Sequence, residues 1–284
     1  MGKVNKYGLS RDPPSEVKRA VRQNSGFGCV LCGLSLYHYD HIDPPWAEAP
    51  DHRVDNICLL CPNHHERKNK RLLSVEAIKA AYHTPQAKRA GYSQDPEFRT
   101  CGRPLQIRLG NFVFDDPREV LRIGGEVILA VEDLEDGNLA LSGRFYDRRS
   151  RLILEICKNE WRSLAGSWDV ERVANRIIIR ERAYKLSLRV VAESDHEVTF
   201  DNIEMNFLDV GLLSKGGDAI ELSYRGKPIM VHRPSEKGGL GIKTKGPLDI
   251  DKDGRLSPIS GPTTIGAGTL QVGSPGHEPV GRKK

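Results

Sequence analysis

The chain has 284 residues, 38% of them hydrophobic and 29% charged, with a formal net charge of +5 and a pI near 8.8. That length suits one large domain or two small ones, and the composition excludes a collagenous, disulfide-dense or wholly disordered chain. The mild positive balance permits a polyanionic partner without requiring one, and no stretch approaches the roughly 18 apolar residues of a membrane helix.

The opening residues, MGKVNKYGLSRDPPSEVKRA, contain no apolar core run, so no secretory signal and no membrane association are expected, and the chain reads as cytoplasmic. In a reducing compartment clustered thiols favour metal over disulfide. Four of the six cysteines, Cys29, Cys32, Cys58 and Cys61, fall in one short segment. Cys101 and Cys157 are isolated and are expected as buried small hydrophobes.

A first region runs over residues 1–95. Pro13 and Pro14 lead into a helix over SEVKRAVRQN that Gly26 ends. A segment rich in cysteine and histidine follows, from Cys29 to His65. Ser74 is a fitting N-cap for a helix over VEAIKAAYH, with Val75, Ile78 and Tyr82 on one face. TPQAKRAGYSQDPEFR, with two prolines, a glycine and mixed charge, reads as a linker. A second region, residues 100–234, repeats short apolar segments such as LQIRLGNFVF, GEVILAVEDL, RLILEI and EVTFDNIEM, several with the period-2 alternation of half-buried strands. It is expected to be an all-β domain, either a sandwich or a β-helix-like coil. Trp161 and Trp168 are expected in its core, although they and Trp46 are also of the type that stacks on bases. The third region, residues 235–284, is rich in Gly, Pro, Ser and Thr and is expected as a disordered or extended tail. Within it DIDKDGRLS looks like part of a calcium loop but lacks the glutamate at the twelfth loop position. The fold class expected is therefore α+β: a small metal-stapled domain, an all-β domain and a tail.

In the metal-type segment, Cys29-Val-Leu-Cys32 lies between Gly28 and Gly33, and glycines let the backbone curl and turn its amides toward thiolates. A tetrahedral structural site needs four ligands. Pro62 suits the first turn of a helix over PNHHERKNK, with Cys61 at its entrance. Positions three apart share a face, so Cys61 and His64 can grip one ion, while His65 points about 100° further round. The preceding ICLL reads as a strand that packs Cys58 into the core. The favoured zinc set is Cys29, Cys32, Cys61 and His64; a set using Cys58 stays open.

The order CxxC, then Asp40-His41-Ile42 followed by proline, then Asp55-Asn56-Ile57, Cys61 and His64-His65 before a basic run resembles the HNH endonucleases. The resemblance spans roughly residues 10 to 85. It implies a β-hairpin, a helix and a bound metal (the ββα-metal fold), with His41 as general base and Asn56 holding the hairpin loop against the helix to orient it. It further implies that Asp40 and His65 ligate a catalytic ion, and that His64 stands where many members carry a fourth cysteine.

The side chains suit that chemistry. An imidazole can take a proton from water at neutral pH. A carboxylate and an imidazole suit Mg²⁺, Mn²⁺ or Ni²⁺ better than thiolates do. Arg67, Lys68, Asn69, Lys70 and Arg71 lie on or just after the same helix and are candidate contacts to nucleic acid. His38 and His52 lie near the site without an assigned role. Because neighbours in a regular strand face opposite ways, Asp40 and His41 share a site only if the chain bends there. The function expected is metal-dependent cleavage of DNA, with recognition, regulation, a protein partner or homo-oligomer contacts left to the all-β domain. A non-catalytic zinc module and a ligand-gated nuclease are the alternatives.

Overall fold

In a computed structural model that describes residues 4–95, 104–135, 138–216, 219–234, 242–244, 246–257 and 268–272, the chain divides into two compact units. One comprises Met1–Glu97 with Glu160–Tyr184, the other Phe98–Asn159 with Lys185–Lys284. The first unit is thus discontinuous in sequence, unlike the contiguous regions 1–95 and 100–234 read from composition. Among the described residues all four α-helices belong to the first unit, and strands dominate the whole. Within them, no helix is long and apolar enough to cross a membrane.

In the first unit, α1 (Ser15–Ser25) stops at Gly26, whose left-handed φ of 70° lets its N–H turn back to the carbonyls of Arg22 and Gln23. Strands β1 (His38–His41) and β2 (Ile57–Leu60) form an antiparallel hairpin, with Asp40 opposite Cys58 and His41 opposite Ile57. The unbroken apolar run ICLL is explained by burial on both faces of β2. Ile57 and Leu59 pack with Val21 of α1, while Cys58 and Leu60 pack with Ile78. Helix α2 (Pro62–Asn69) follows at once, then α3 (Val75–His83), whose first turn is capped by the Ser74 hydroxyl accepting from the Ala77 N–H.

The stretch read as a linker is ordered at residues 84–95, and the rest of it lies outside the described residues. Helix α4 (Gln86–Ala90) starts after Pro85 and ends at Gly91 with φ 85°. Strand β3 (Tyr92–Asp95) then pairs antiparallel with Glu160–Leu164, Trp161 opposite Asp95. That pairing returns residues 160–184 to the first unit, and buried ion pairs hold them there. Arg22, only 4% exposed, donates from Nε and Nη2 to the two carboxylate oxygens of Asp169, at 2.8 Å each; Asp169 is 1% exposed. Arg180 adds a further bond to Asp169 at 2.9 Å, and Arg172 donates to Asp95 at 2.7 Å. Trp161 is buried, but in this unit. Trp168 is half-buried beneath the Arg19 guanidinium, 5.1 Å from its ring centre, and so is not core.

The second unit holds an antiparallel meander of Glu119–Ile123, Glu126–Asp133, Leu139–Tyr146 and Leu152–Cys157. A second antiparallel run comprises Lys185–Ser194, Glu197–Phe207, Val210–Ser214, Ile220–Tyr224, Lys227–Pro234 and Gly268–Val272. The hairpin of Gln106–Leu109 and Phe112–Asp115 joins this run through a parallel pairing with Glu197–Phe207. Rings from the two runs stack, Phe145 on Phe200 at 4.8 Å and Tyr146 on Phe207 at 4.6 Å.

Parts of the region expected as a tail are strands: Ile242–Thr244, Leu248–Ile250 and Gly268–Val272 each pair within this unit, the first two in parallel. Beyond residues 242–244, 246–257 and 268–272, that region lies outside the described residues. The calcium-loop-like DIDKDGRLS closes on itself, the Asp251 carboxylate accepting from the N–H groups of Asp253 and Arg255 at 2.8 Å each. Cys157 is exposed, because it ends a strand beyond the last inward-facing position, so its expected burial is corrected. Cys101 lies outside the described residues.

Candidate functional site

The sequence Gly28–Gly33 folds as a tight knuckle. The Gly33 N–H bonds to the Cys29 carbonyl at 2.7 Å, and the Cys29 N–H bonds to the Leu34 carbonyl at 2.9 Å. A Cβ on Gly28 would sit 2.4 Å from the Gly33 oxygen, so no other residue fits there. Cys61 occupies the N-cap of α2 with Pro62 behind it, and its sulfur faces the His64 N–H at 3.5 Å. His64 Nδ1 lies 3.2 Å from Cys61 Sγ and 3.4 Å from Cys29 Sγ, and Cys32 Sγ lies 3.8 Å from Cys61 Sγ. The ligand atoms of Cys29, Cys32, Cys61 and His64 all fall within 4.8 Å of one another, so these four residues are positioned to bind a metal ion. Three sulfurs and one imidazole form a donor set compatible with structural zinc.

The thiols differ by environment. A hydrogen bond from Cys32 draws the Cys29 thiol down to about 5 against the opposing effect of burial, while Cys32 itself is pushed up. Cys58 stands apart from the four. It is fully buried in the apolar cluster, and burial drives its thiol upward, which fits a packing residue and not a ligand.

The next residue of α2 points elsewhere. His65 Nε2 lies 3.5 Å from Asp40 Oδ1 on the hairpin. Lys68, three residues on, takes the other carboxylate oxygen, Oδ2, and also donates to the His41 carbonyl at 2.5 Å. The two oxygens of Asp40 are therefore divided, one facing His65 and one bound by an ammonium. Asn69 reaches His65 Nδ1 from the other side, Nδ2 at 3.4 Å.

The His41 side chain is buried and turned to His52, with His41 Nε2 3.3 Å from His52 Nδ1 and the ring centres 5.3 Å apart. Burial, then the neighbouring His52, lowers the His41 pKa below the ordinary histidine value; Asp40 opposes this, and Lys68 and Arg11 add to it. His41 thus lies within the electrostatic reach of Asp40 and Lys68 although its ring is aimed at another partner. Asn56 pins the loop after His41: its Oδ1 accepts from the Asp43 N–H at 2.9 Å, its Nδ2 donates to the Pro44 carbonyl at 3.4 Å, and its own carbonyl accepts from the Ile42 N–H at 2.8 Å. Its side chain reaches the loop itself rather than α2.

The basic run separates into different tasks. Lys68 is turned inward, Lys70 pairs with Glu66 at 3.1 Å along the helix, and Asn69 rests on His65. Arg67 and Arg71 project into solvent. Two residues without an expected role are brought in. His52 faces His41, a contact between two loop-separated histidines that the sequence signals only as a second histidine eleven residues on. Arg11 lines a groove of about 410 Å³ together with Asp12, Tyr37, His38, Tyr39 and His65. His38 packs on the ring of His65, centres 5.1 Å apart.

No family model, curated protein or solved structure matches this chain.

Proposed function

We propose that this protein is a metal-dependent endonuclease of the HNH type that hydrolyses phosphodiester bonds in DNA. One observation carries the reading. A single helix entering from a hairpin turns Cys61 and His64 into a sulfur-rich cluster, and sets its next residue, His65, against Asp40 beside His41.

Asp40 Oδ1 and His65 Nε2, 3.5 Å apart, would hold one hard cation such as Mg²⁺, Mn²⁺ or Ni²⁺. Such an ion would supply charge neutralisation at the phosphate and at the leaving oxygen. The chain's own residues do the remainder. His41 Nε2 shares a hydrogen bond with His52 Nδ1, and in the tautomer that places the proton on Nε2 the other ring nitrogen, Nδ1, is the one that accepts the proton of the attacking water. The lowered pKa keeps that nitrogen free at neutral pH. Lys68 holds the second oxygen of Asp40 and ties the helix to the β1 backbone, and Asn56 keeps the loop beyond His41 from moving. The second unit is left for recognition, regulation or self-association, and restriction or defence against phage is the setting such a layout serves by fold-level analogy.

A second reading, a zinc-stapled module that binds nucleic acid without cutting it, draws on the Lys68–Asp40 pair. Asp40 already has a cation, and among the described residues only the cysteine–histidine cluster gathers three or more metal-type side chains. Supercoiled plasmid separates the two readings. The nuclease reading expects nicked or linear product that depends on Mg²⁺, Mn²⁺ or Ni²⁺ and falls about 10²- to 10⁴-fold in His41→Ala, the range of a lost general base. Intact plasmid with every ion, from folded protein that still binds DNA, would establish the binding module instead.

A further inference from the structure

Of the basic run that follows His65, Lys68 and Lys70 are engaged within the protein and Arg67 and Arg71 project into solvent, and none of the four lines the groove beside His65. Arg11 is exposed, and Asp12, the carboxylate that shares its groove, is paired with Lys18. Arg11 lines the groove that ends on His65.

Its position is built. The Arg11 guanidinium lies over the ring of Trp46, 5.4 Å from the centroid. Trp46 Nε1 donates to the Ser10 carbonyl at 3.1 Å, which fixes the residue just before Arg11. Asn5 grips the same short turn, its Nδ2 donating to the carbonyls of Trp46 and Ala49 at 2.6 and 2.7 Å, while its Oδ1 accepts from the N–H groups of Tyr7 and Leu9 at 3.0 Å each. On the other side the buried Pro13 leads into α1, and the neighbouring Asp12 is engaged by Lys18 at 2.5 Å. The segment before α1 is thereby strapped to the hairpin loop, and the side chain left facing the groove is a fork of five N–H donors.

We propose that Arg11 is the phosphate-binding residue of this site, gripping the non-bridging oxygens of a phosphodiester that lies in the groove beside His65. A planar guanidinium matches two phosphate oxygens at once, which an ammonium cannot do. The assignment rests on the nuclease reading for the place of the cut bond, but the binding itself does not depend on cleavage.

The test uses the full chain with zinc bound, a short fluorescein-labelled DNA duplex read by anisotropy in the His41→Ala background, and plasmid cleavage in the unmodified background. Arg11→Ala should weaken binding and cut kcat/KM by roughly ten- to a hundredfold, the range of a lost charged hydrogen bond. It should also reduce the slope of log affinity against log salt by about one. Arg11→Lys should recover the salt slope but only part of the affinity, and Trp46→Leu should fall between Arg11→Lys and Arg11→Ala. Arg71→Ala, which removes a solvent-facing charge, should have less effect than Arg11→Ala. Binding that depends on Arg11 in a protein that never cleaves would keep this assignment and end the nuclease reading. Metal-dependent cleavage with Arg11→Ala binding and cutting like the unmodified protein, or an unmodified protein with no affinity for the duplex, would overturn the assignment.

Discussion

Two faces of one eight-residue helix divide the first unit's chemistry. On one face Cys61 and His64 join Cys29 and Cys32, giving soft donors packed against an apolar cluster, with Cys29 and Cys61 buried and Cys32 and His64 half-buried. On the other, His65 and Lys68 meet Asp40, giving hard donors at the edge of a groove, with one carboxylate oxygen still directed at an imidazole. Adjacent histidines, a turn of about 100° apart, thus enter opposite kinds of site. The difference lies in donor number and softness: the sulfur-rich face gathers four donors, enough for a tetrahedral site within the protein, whereas the other face brings together one carboxylate and one imidazole.

The largest expected effect breaks the soft face. Stripping zinc with a strong chelator, or replacing Cys29 with Ser, should unfold the first unit, since structural zinc in small modules contributes roughly 10 kcal/mol or more of apparent folding free energy. Circular dichroism should lose one unfolding transition and keep that of the second unit. Asp40→Asn acts on the hard face alone. It should lower metal-dependent cleavage by at least about a hundredfold, as expected when a metal's several-kcal/mol contribution is lost, with one zinc per chain retained by elemental analysis. Arg22→Ala touches neither face but leaves Asp169 buried without its main partner. It should destabilise the first unit by about 3–5 kcal/mol in urea, so that zinc retention and cleavage fail together as denaturant rises.

The smallest effect is on pH. Burial lowers the His41 pKa, so the neutral base persists to lower pH than in an ordinary histidine. The acid limb of the cleavage profile should therefore fall below about 6.5, with activity full above that limb and lost as pH drops through it. The linkage has the same sense. Because folding disfavours the protonated ring, the stability from this group is intact above the unfolded histidine value and declines as pH falls toward the folded one.

Much of the helix-centred site was legible in the chain. Pro62 marks the start of α2, and the three-residue spacing of Cys61 and His64 selects them over Cys58, whose apolar neighbours on β2 are buried on both sides. Gly26 and Ser74 announce the ends of α1 and α3 in the same local way. What escaped is long-range and polar. Strand β3 reads YSQD, with its buried positions filled by Ser93 and Asp95, so it carries no apolar alternation. Asp169 and Arg172 give no local sign that they serve α1 and β3, so the sequence pattern groups residues 160–184 with the strands around them. His52 and Arg11 sit in polar segments remote in sequence from their partners. The basic run after His65 is contiguous in sequence, but helical geometry turns Lys68 inward and ties Lys70 to Glu66.

The most direct test follows zinc content, thermal unfolding and plasmid cleavage on one sample while metals are withdrawn in two steps. Omitting Mg²⁺ with zinc retained should abolish cleavage and leave the melting curve unchanged; removing zinc should then collapse the first unit's transition. Cleavage that survives without a hard cation, or both withdrawals producing the same loss of fold, would contradict two chemically separate faces on α2.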